Sequence, residues 1–488
     1  MERLQARRTL SRLLAASLAA LPLVLAVGAR PADGRPAARG WRGDGTGVFA
    51  DARPVTRWSD EENRLWVTPL PSPSNATPVL VGDRLFVMAE PTALLALSTE
   101  TGKVLWRRDI TYMQTLRGDE RERAAKDVEE AGRIAERLDA LAAEEVKTKL
   151  AARDGRDSEA TYGRLEEVSL EIESLSRRLD ATAAVIRPPE IPFIGYSSAS
   201  PVTDGESVYV AVGTGVVACY DVNGNARWTV WVGAPHPRPL GFDMGQTTTP
   251  VLSGDRLIVG IGRLAALDKR TGAILWRGPE FPHFGTSRLA RVQEQDVIVT
   301  PAGEIVDLSS GEVRARMTDR PVLYVGPVVD GRRVYLAGTI VTAELAAARA
   351  FDLPASGGYE ATPAWERALP TDFDYVTEPL AWAGLVYLVN SEGEMIVLDR
   401  NDGNPVLRKS LPVQGVYSSL SVAGGLLYVF DSGGSAVVLQ PGREYKPVGR
   451  GRLSDFFVAS PVFDRDRIYL RGIHNAFALG PAAKRDAR

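Results

Sequence analysis

The chain has 488 residues and a formal net charge of −3, with 44% hydrophobic, 24% charged and 7% aromatic residues. That balance excludes a disordered polymer and a nucleic-acid binder held by bulk positive charge. One cysteine, Cys219, excludes an intrachain disulfide, and three histidines, His236, His283 and His474, leave little for a zinc site.

Residues 1–29 read as an export signal. Arg3, Arg7, Arg8 and Arg12 form a basic head, Leu13 to Val27 an apolar run, and Val27-Gly28-Ala29 a small-residue cleavage site. The run is shorter than the roughly 20 residues needed to span a bilayer, so an uncleaved anchor is the lesser reading. A leader segment, 30–63, follows. Next comes an isolated strand, Arg64-Leu65-Trp66-Val67, with no partner nearby in sequence.

From residue 77 the chain repeats itself. Thr77-Pro78-Val79-Leu80-Val81-Gly82-Asp83-Arg84-Leu85 returns as Thr249-Pro250-Val251-Leu252-Ser253-Gly254-Asp255-Arg256-Leu257. Weaker copies begin at Ser200, near Arg288, and at Gly326, Glu378, Ser419 and Ser460. Each copy reads as short strands joined by tight turns, the third ending in a Leu-Asp-like pair and the fourth carrying tryptophan. Gly102 precedes Trp106, Gly224 precedes Trp228 and Gly272 precedes Trp276 at one spacing; Ala315 and Leu407 stand where later copies lack the ring. Trp66, Trp106, Trp228 and Trp276 are therefore expected as structural plates between neighbouring sheets. Setting aside the leader segments and the insertion leaves about 350 residues, or about 44 for each copy, the length of a four-stranded propeller blade. The predicted fold is all-β: an eight-bladed β-propeller in blocks 64–111 and 191–480, with a tail at 481–488. The last copy ends at Leu479 without a fourth strand, so the orphan strand at 64–67 is expected to complete it and close the ring.

Residues 112–190 break the period. Leu165, Val168, Ile172, Leu175 and Leu179 fall at alternating three- and four-residue steps, as do Val128, Ala131, Ala135, Leu138 and Ala142. Arg153-Asp154-Gly155-Arg156-Asp157 makes the reversal. This predicts an inserted antiparallel α-helical coiled-coil hairpin, about 50 Å long, serving as a spacer or as a docking arm.

The segments Thr101-Gly102-Lys103-Val104-Leu105-Trp106 and Leu267-Asp268-Lys269-Arg270-Thr271-Gly272-Ala273-Ile274-Leu275-Trp276 resemble the PQQ-like, quinoprotein-type propeller repeats. The leader Trp41-Arg42-Gly43-Asp44-Gly45-Thr46-Gly47, the segment Trp58-Ser59-Asp60-Glu61-Glu62-Asn63 and the tail around His474 are similar to an exported, BamB-related bacterial branch. The resemblance implies one of two things. The first is a non-catalytic envelope scaffold that binds protein or peptide partners without a cofactor. The second is a PQQ- and calcium-dependent dehydrogenase, or a remnant of one. With Cys219 alone, the adjacent cysteine pair many such enzymes place over PQQ is impossible. No calcium-binding or catalytic set is recognisable, and the absent lipobox departs from the usual BamB pattern. A carbohydrate-binding rim is a third reading.

Lesser motifs have plain explanations. Gly260-Ile261-Gly262 opens no helix, Arg42-Gly43-Asp44 reads as a turn, and Cys219 as a small buried hydrophobe. The connections leading into each first strand are rich in aromatic and histidine side chains: His236, Phe242, His283, Phe284, Phe373, Tyr375, Tyr417 and Phe456. These are the candidate rim-binding residues, set against a role as plugs of the funnel; His474 is expected on the opposite face.

Overall fold

The computed structural model describes residues 40–153, 159–186, 195–233, 248–322, 324–340, 345–372 and 374–481. The expected signal, the tip of the helical insertion, His236, Phe242 and Phe373 lie outside the described residues. Within them the chain is mostly β, in eight sheets, with two α-helices.

Sheet 1 holds Val79–Val81, Arg84–Ala89, Ala93–Ser98 and Val104–Asp109, hydrogen-bonded in chain order. Sheets 2 to 6 repeat that four-stranded order, with first strands at Val202–Thr203, Val251–Ser253, Arg288–Val292, Val328–Asp330 and Leu380–Trp382. Sheet 7 starts at Ser421–Ala423 and sheet 8 at Val462–Asp464. In sheet 8 the outer strand is Arg64–Pro69, antiparallel to Asn475–Leu479 with Trp66 opposite Ala478. The second and third strands are almost wholly buried, as in Leu85–Ala89 and Val216–Tyr220, because sheets cover both of their faces. Fourth strands such as Val104–Asp109 alternate half-buried and exposed residues. Cys219 is buried and free, in the third strand of sheet 2.

Sheet 7 departs from expectation. The leader adds two short parallel strands to it: Val48–Phe49 beside its first strand and Arg57–Trp58 beside its last. Two residues each give no periodicity, so neither is visible in sequence.

Aromatic wedges hold neighbouring sheets together. Trp66, Trp106, Trp228 and Trp276 each donate Nε1–H to a backbone carbonyl in the turn of the next sheet: Thr99, Val222, Lys269 and Leu308, at 2.9, 3.2, 2.9 and 3.0 Å. Each ring lies on the turn glycine. At Gly102, φ is +71° and an added Cβ would fall 2.8 Å from the Trp66 ring, so both conformation and space demand glycine. The sequence reading missed a fifth such ring, Trp365 of sheet 5, which bonds Arg400 O at 2.9 Å. A longer turn hides it by separating Trp365 from Gly358.

Where the fourth strand carries Ala315 or Leu407, the neighbouring sheet supplies a tyrosine instead. Tyr359 packs on the cluster containing Ala315 under the Arg314 guanidinium, and Tyr445 packs beside Leu407 under Lys409. Between sheets 7 and 8 the wedge comes from the leader. Trp58 stacks on Phe430 at 5.6 Å, in a cluster with Phe463 and Leu479.

The insertion folds as α1 (Gly118–Arg153) and α2 (Glu159–Ile186). Glu130, Arg137 and Glu144 of α1 pair with Arg178, Glu171 and Arg164 of α2. Partners move in opposite directions along the two helices, so the pair is antiparallel. These bridges are exposed and screened by solvent, so they fix register more than stability. On α1 the predicted seam holds at Ala131, which is buried, and is corrected further along, where Ile134 and Leu141 are buried and Ala142 is exposed. A 3.6-residue turn drifts from a strict 3.5-residue repeat, so the buried stripe shifts along the helix. On α2, Val168 is buried and Leu165, Ile172 and Leu175 are half-buried. Among the described residues no helix is long and apolar enough to cross a membrane.

Candidate functional site

In seven of the sheets the residue two places before the first strand is tied to its counterpart in a neighbouring sheet. The Thr77 N–H donates to Ser200 Oγ at 2.9 Å, and Ser200 N–H to Thr249 Oγ1 at 3.2 Å. Gly326 N–H donates to Glu378 Oε1, Glu378 N–H to Ser419 Oγ and Ser419 N–H to Ser460 Oγ, at 3.2, 3.1 and 3.0 Å. Ser460 N–H then donates to Thr77 Oγ1 at 3.2 Å, joining sheet 8 to sheet 1. The repeated hydroxyl before proline in the sequence thus satisfies a buried N–H of the preceding sheet.

Into this inner space runs the leader. Gly40 packs on Val202 of sheet 2, and the Trp41 ring faces the Arg288 guanidinium of sheet 4 at 5.3 Å while its Nε1–H reaches Ser460 Oγ. Phe49 meets Phe463 of sheet 8 at 5.1 Å, and Val48–Phe49 pairs with the first strand of sheet 7. Arg42 is wholly buried. Its Nη1 donates to Glu378 Oε2 at 2.9 Å and to Pro379 O, and its Nη2 to Leu420 O. Arg288 bonds the same Glu378 Oε2 at 2.7 Å. Burial pushes the Arg42 guanidinium below its ordinary range, and the Glu378 carboxylate opposes that shift. At Gly47, φ is +77° and a Cβ would fall 2.5 Å from Arg42 Nη2, so the segment fits without slack. Ten residues of leader therefore touch the inner ends of sheets 2, 4, 6, 7 and 8. Arg42, read in sequence as part of a chance turn, is the centre of a buried charge cluster. The signal was the run of glycines around it.

A planar cofactor such as PQQ would need a slot in this same inner space. The described residues there do not fit one: Arg42 spends Nη1 and Nη2 on Glu378, Pro379 O and Leu420 O, and Trp41 its Nε1–H on Ser460, which leaves Arg42 Nε as the one donor of these two side chains without a partner. No group of three or more His, Cys, Asp or Glu side chains among the described residues converges to hold a metal ion.

The predicted rim residues fare unevenly. Tyr375 is 1% exposed and packs among Tyr335, Val386 and Ile396, which corrects its assignment as a surface anchor: an apolar ring between two sheets is drawn into their core. His283 is buried as well, edge-on to Phe281 at 5.5 Å. Phe284 is half-buried and stacks on Tyr324 at 6.5 Å; Phe456 is half-buried, and Tyr417 is 44% exposed. Tyr324, beside Phe284, carries no signal in the sequence; burial raises its hydroxyl pKa, with Asp374 and Tyr417 adding to the shift. His474 is also corrected. Its N–H bonds Asp455 Oδ1, so it sits beside the connection leading into sheet 8 and not on the opposite face.

Two buried groups predict a pH response. Desolvation pushes the Glu90 carboxyl up to about 7, against hydrogen bonds from Ser197 N–H and Oγ and the charge of Arg471. Desolvation pushes His283 down to about 4. Between its ordinary value and about 7, folded Glu90 holds a proton that the unfolded chain has released, so its contribution falls as pH rises. His283 acts oppositely, adding stability as pH rises from about 4. Glu90→Gln should remove only the first slope. The variant's advantage over wild type should grow from pH 5 to 7 to on the order of 3 kcal/mol, then level off. Urea denaturation at pH 5, 6 and 8 measures this, and parallel curves would reject it.

The comparisons with known proteins agree with this architecture. A family model described as outer membrane protein assembly factor BamB matches residues 178–352 and 302–484. A second, described as the β-propeller domain of glucose/ethanol/alcohol dehydrogenase, matches residues 57–243. No curated protein gives a match. Among solved structures, BamB from Moraxella catarrhalis is similar with a TM-score of 0.51 at 12% identity, covering 85% of this chain and 99% of that one. A quinohemoprotein alcohol dehydrogenase from Pseudomonas putida HK5 gives 0.43 at 12% identity, covering 89% and 79%. At 12% identity the likeness to the BamB structure is one of fold.

Proposed function

We propose that this chain, which belongs to the family of the outer membrane protein assembly factor BamB, is a non-catalytic scaffold of the cell envelope that binds protein or peptide partners. In this reading the eight sheets are blades of one ring closed by the strand at 64–69, and the leader is threaded along its axis. The observation that supports the reading is the anchored leader: Trp41 faces Arg288, and Arg42 is bonded to Glu378, Pro379 and Leu420 where the inner ends of the sheets meet. A rigid ring with its centre closed still offers loops for binding. Export to the periplasm follows from the signal-like residues 1–29, and partners are proteins, not nucleic acid.

The rival is a PQQ-dependent dehydrogenase, favoured by the match to the dehydrogenase propeller family. Titrating the purified chain with PQQ and Ca²⁺, followed by absorbance and thermal melting, separates the two. The scaffold reading expects no saturable binding. Stoichiometric binding with dye-linked alcohol oxidation would overturn it.

Two surfaces are the proposed docking sites. One is the aromatic patch of Phe284, Tyr324 and Tyr417; the other is the helical arm, read as a coiled coil. Replacing residues 117–187 by a short glycine linker should leave a folded ring, and comparing partner capture by intact and deleted chains assigns the binding surface. Phe284→Ala with Tyr417→Ala should weaken a rim-bound partner by more than about 1 kcal/mol, since exposed aromatic anchors dominate such interfaces. Unchanged capture would return them to a packing role.

A further inference from the structure

We infer that a recess between sheets 4 and 5, away from the filled interior, is a binding site for a carboxylate attached to an apolar body. Arg349 stands on the third strand of sheet 5 and is 2% exposed. Its Nη1 donates to Thr318 Oγ1 and its Nη2 to Arg320 O, both at 2.6 Å. Its Nε is buried without a hydrogen-bond partner. A guanidinium carries five N–H groups, so two bonds leave most of its donors unspent. Among the described residues no carboxylate lies within ion-pair distance of it. Arg320 occupies Glu366 at 2.8 Å, and Asp319 is near without pairing. Of the two other deeply buried arginines, Arg42 has Glu378, and Arg471 spends its Nε and both Nη groups on the carbonyls of Met88, Gly472 and Ser72, whereas Arg349 Nε has none.

A buried cation without a counter-ion is costly, and that cost falls when an anion arrives from outside. Beside Arg349 opens a cavity of about 290 Å³, lined on its apolar side by Met317, Phe351, Pro363 and Trp365 and on its polar side by Asp319 and the Arg320–Glu366 pair. Its charge and its walls therefore ask for different halves of one ligand: an anionic head for the guanidinium and an apolar or aromatic body for the ring-lined side. Arginine suits a carboxylate because its planar fork matches two oxygens. A free organic acid and the C-terminus of a peptide share this chemistry. Neither depends on the scaffold reading above.

The test uses the full chain, with benzoate, a hexapeptide ending in phenylalanine with a free carboxylate, and its C-terminally amidated twin as probes. Calorimetry and tryptophan fluorescence, which Trp365 should report, follow binding. Saturable binding of benzoate is expected, and binding of the free-acid peptide but not the amide identifies a chain terminus as the source. Benzoate binding without peptide binding identifies a small acid. Arg349→Met should weaken binding at least about tenfold, the loss of charge-assisted hydrogen bonds. Should that variant not fold, Glu366→Gln decides, since its exposed position tolerates change and removing a competing carboxylate must tighten binding several-fold. Absence of saturable binding by both acids, retention of binding in Arg349→Met, or an unchanged affinity in Glu366→Gln overturns the assignment.

Discussion

Trp66→Ala is expected to cost about 3–5 kcal/mol, the range for removing a large buried aromatic ring. The ring is 8% exposed and packs with Leu85, Val87 and Leu97 of sheet 1 and Tyr469 of sheet 8. Its Nε1–H also satisfies Thr99 O in the turn of sheet 1. Removing it leaves a cavity at the contact between the last sheet and the first, and leaves Thr99 O with Arg467 Nη1 as its remaining donor. An equal loss from Trp106→Ala would mean that every wedge is equivalent. A larger loss at Trp66, with a broadened transition, would mean that this contact holds the ends of the chain together. Leu275→Ala, at a 49% exposed position, is the control and should cost less than about 1 kcal/mol. Chemical denaturation of the three variants measures all of this, and a loss at Trp66 no greater than at Leu275 would refute the wedge role.

Arg42→Met should cost about 3 kcal/mol, the low end of the range for breaking a buried ion pair, because Arg288 still faces Glu378. The pair is fully buried on both sides, so solvent does not screen the loss. Glu378→Gln should be at least as harmful, since it leaves two buried guanidinium groups around a neutral amide. The double variant should be more stable than the sum of the single losses predicts, because Met and Gln remove charge from both sides at once. Strict additivity in urea denaturation would show that the two groups act independently. A mild effect of Arg42→Met, under about 0.5 kcal/mol, would mean the leader adds nothing to the interior packing.

The repeat was legible because its marks are local. Apolar pairs before a Gly-Asp turn, and glycine four residues ahead of tryptophan, require only neighbours in sequence. Trp106, Trp228 and Trp276 could be assigned as plates on that basis, Trp66 followed from the orphan strand that carries it, and the helical insertion from its change of period. The site was less legible. Arg42 carried no signal of burial, because its partner Glu378 is 336 positions away and only the arrangement of the sheets brings them together. Tyr375 looked like a surface anchor for the same reason: an aromatic residue in a connection reads alike whether the neighbouring sheet covers it or leaves it open.

The amino-acid sequence by itself determined the strand repeat, its turn chemistry, the position of the inserted helices and the lone buried thiol, since these depend on spacings of two to five residues. Only the tertiary structure decided what lies between the repeats. It supplied Tyr359, Tyr445 and Trp58 where the expected tryptophans were missing, drew the leader to the inner ends of five sheets, and left Arg349 buried beside a cavity. Each of these joins residues far apart in the chain. Their identities are fixed by the space and charge that other sheets leave, which no local pattern records.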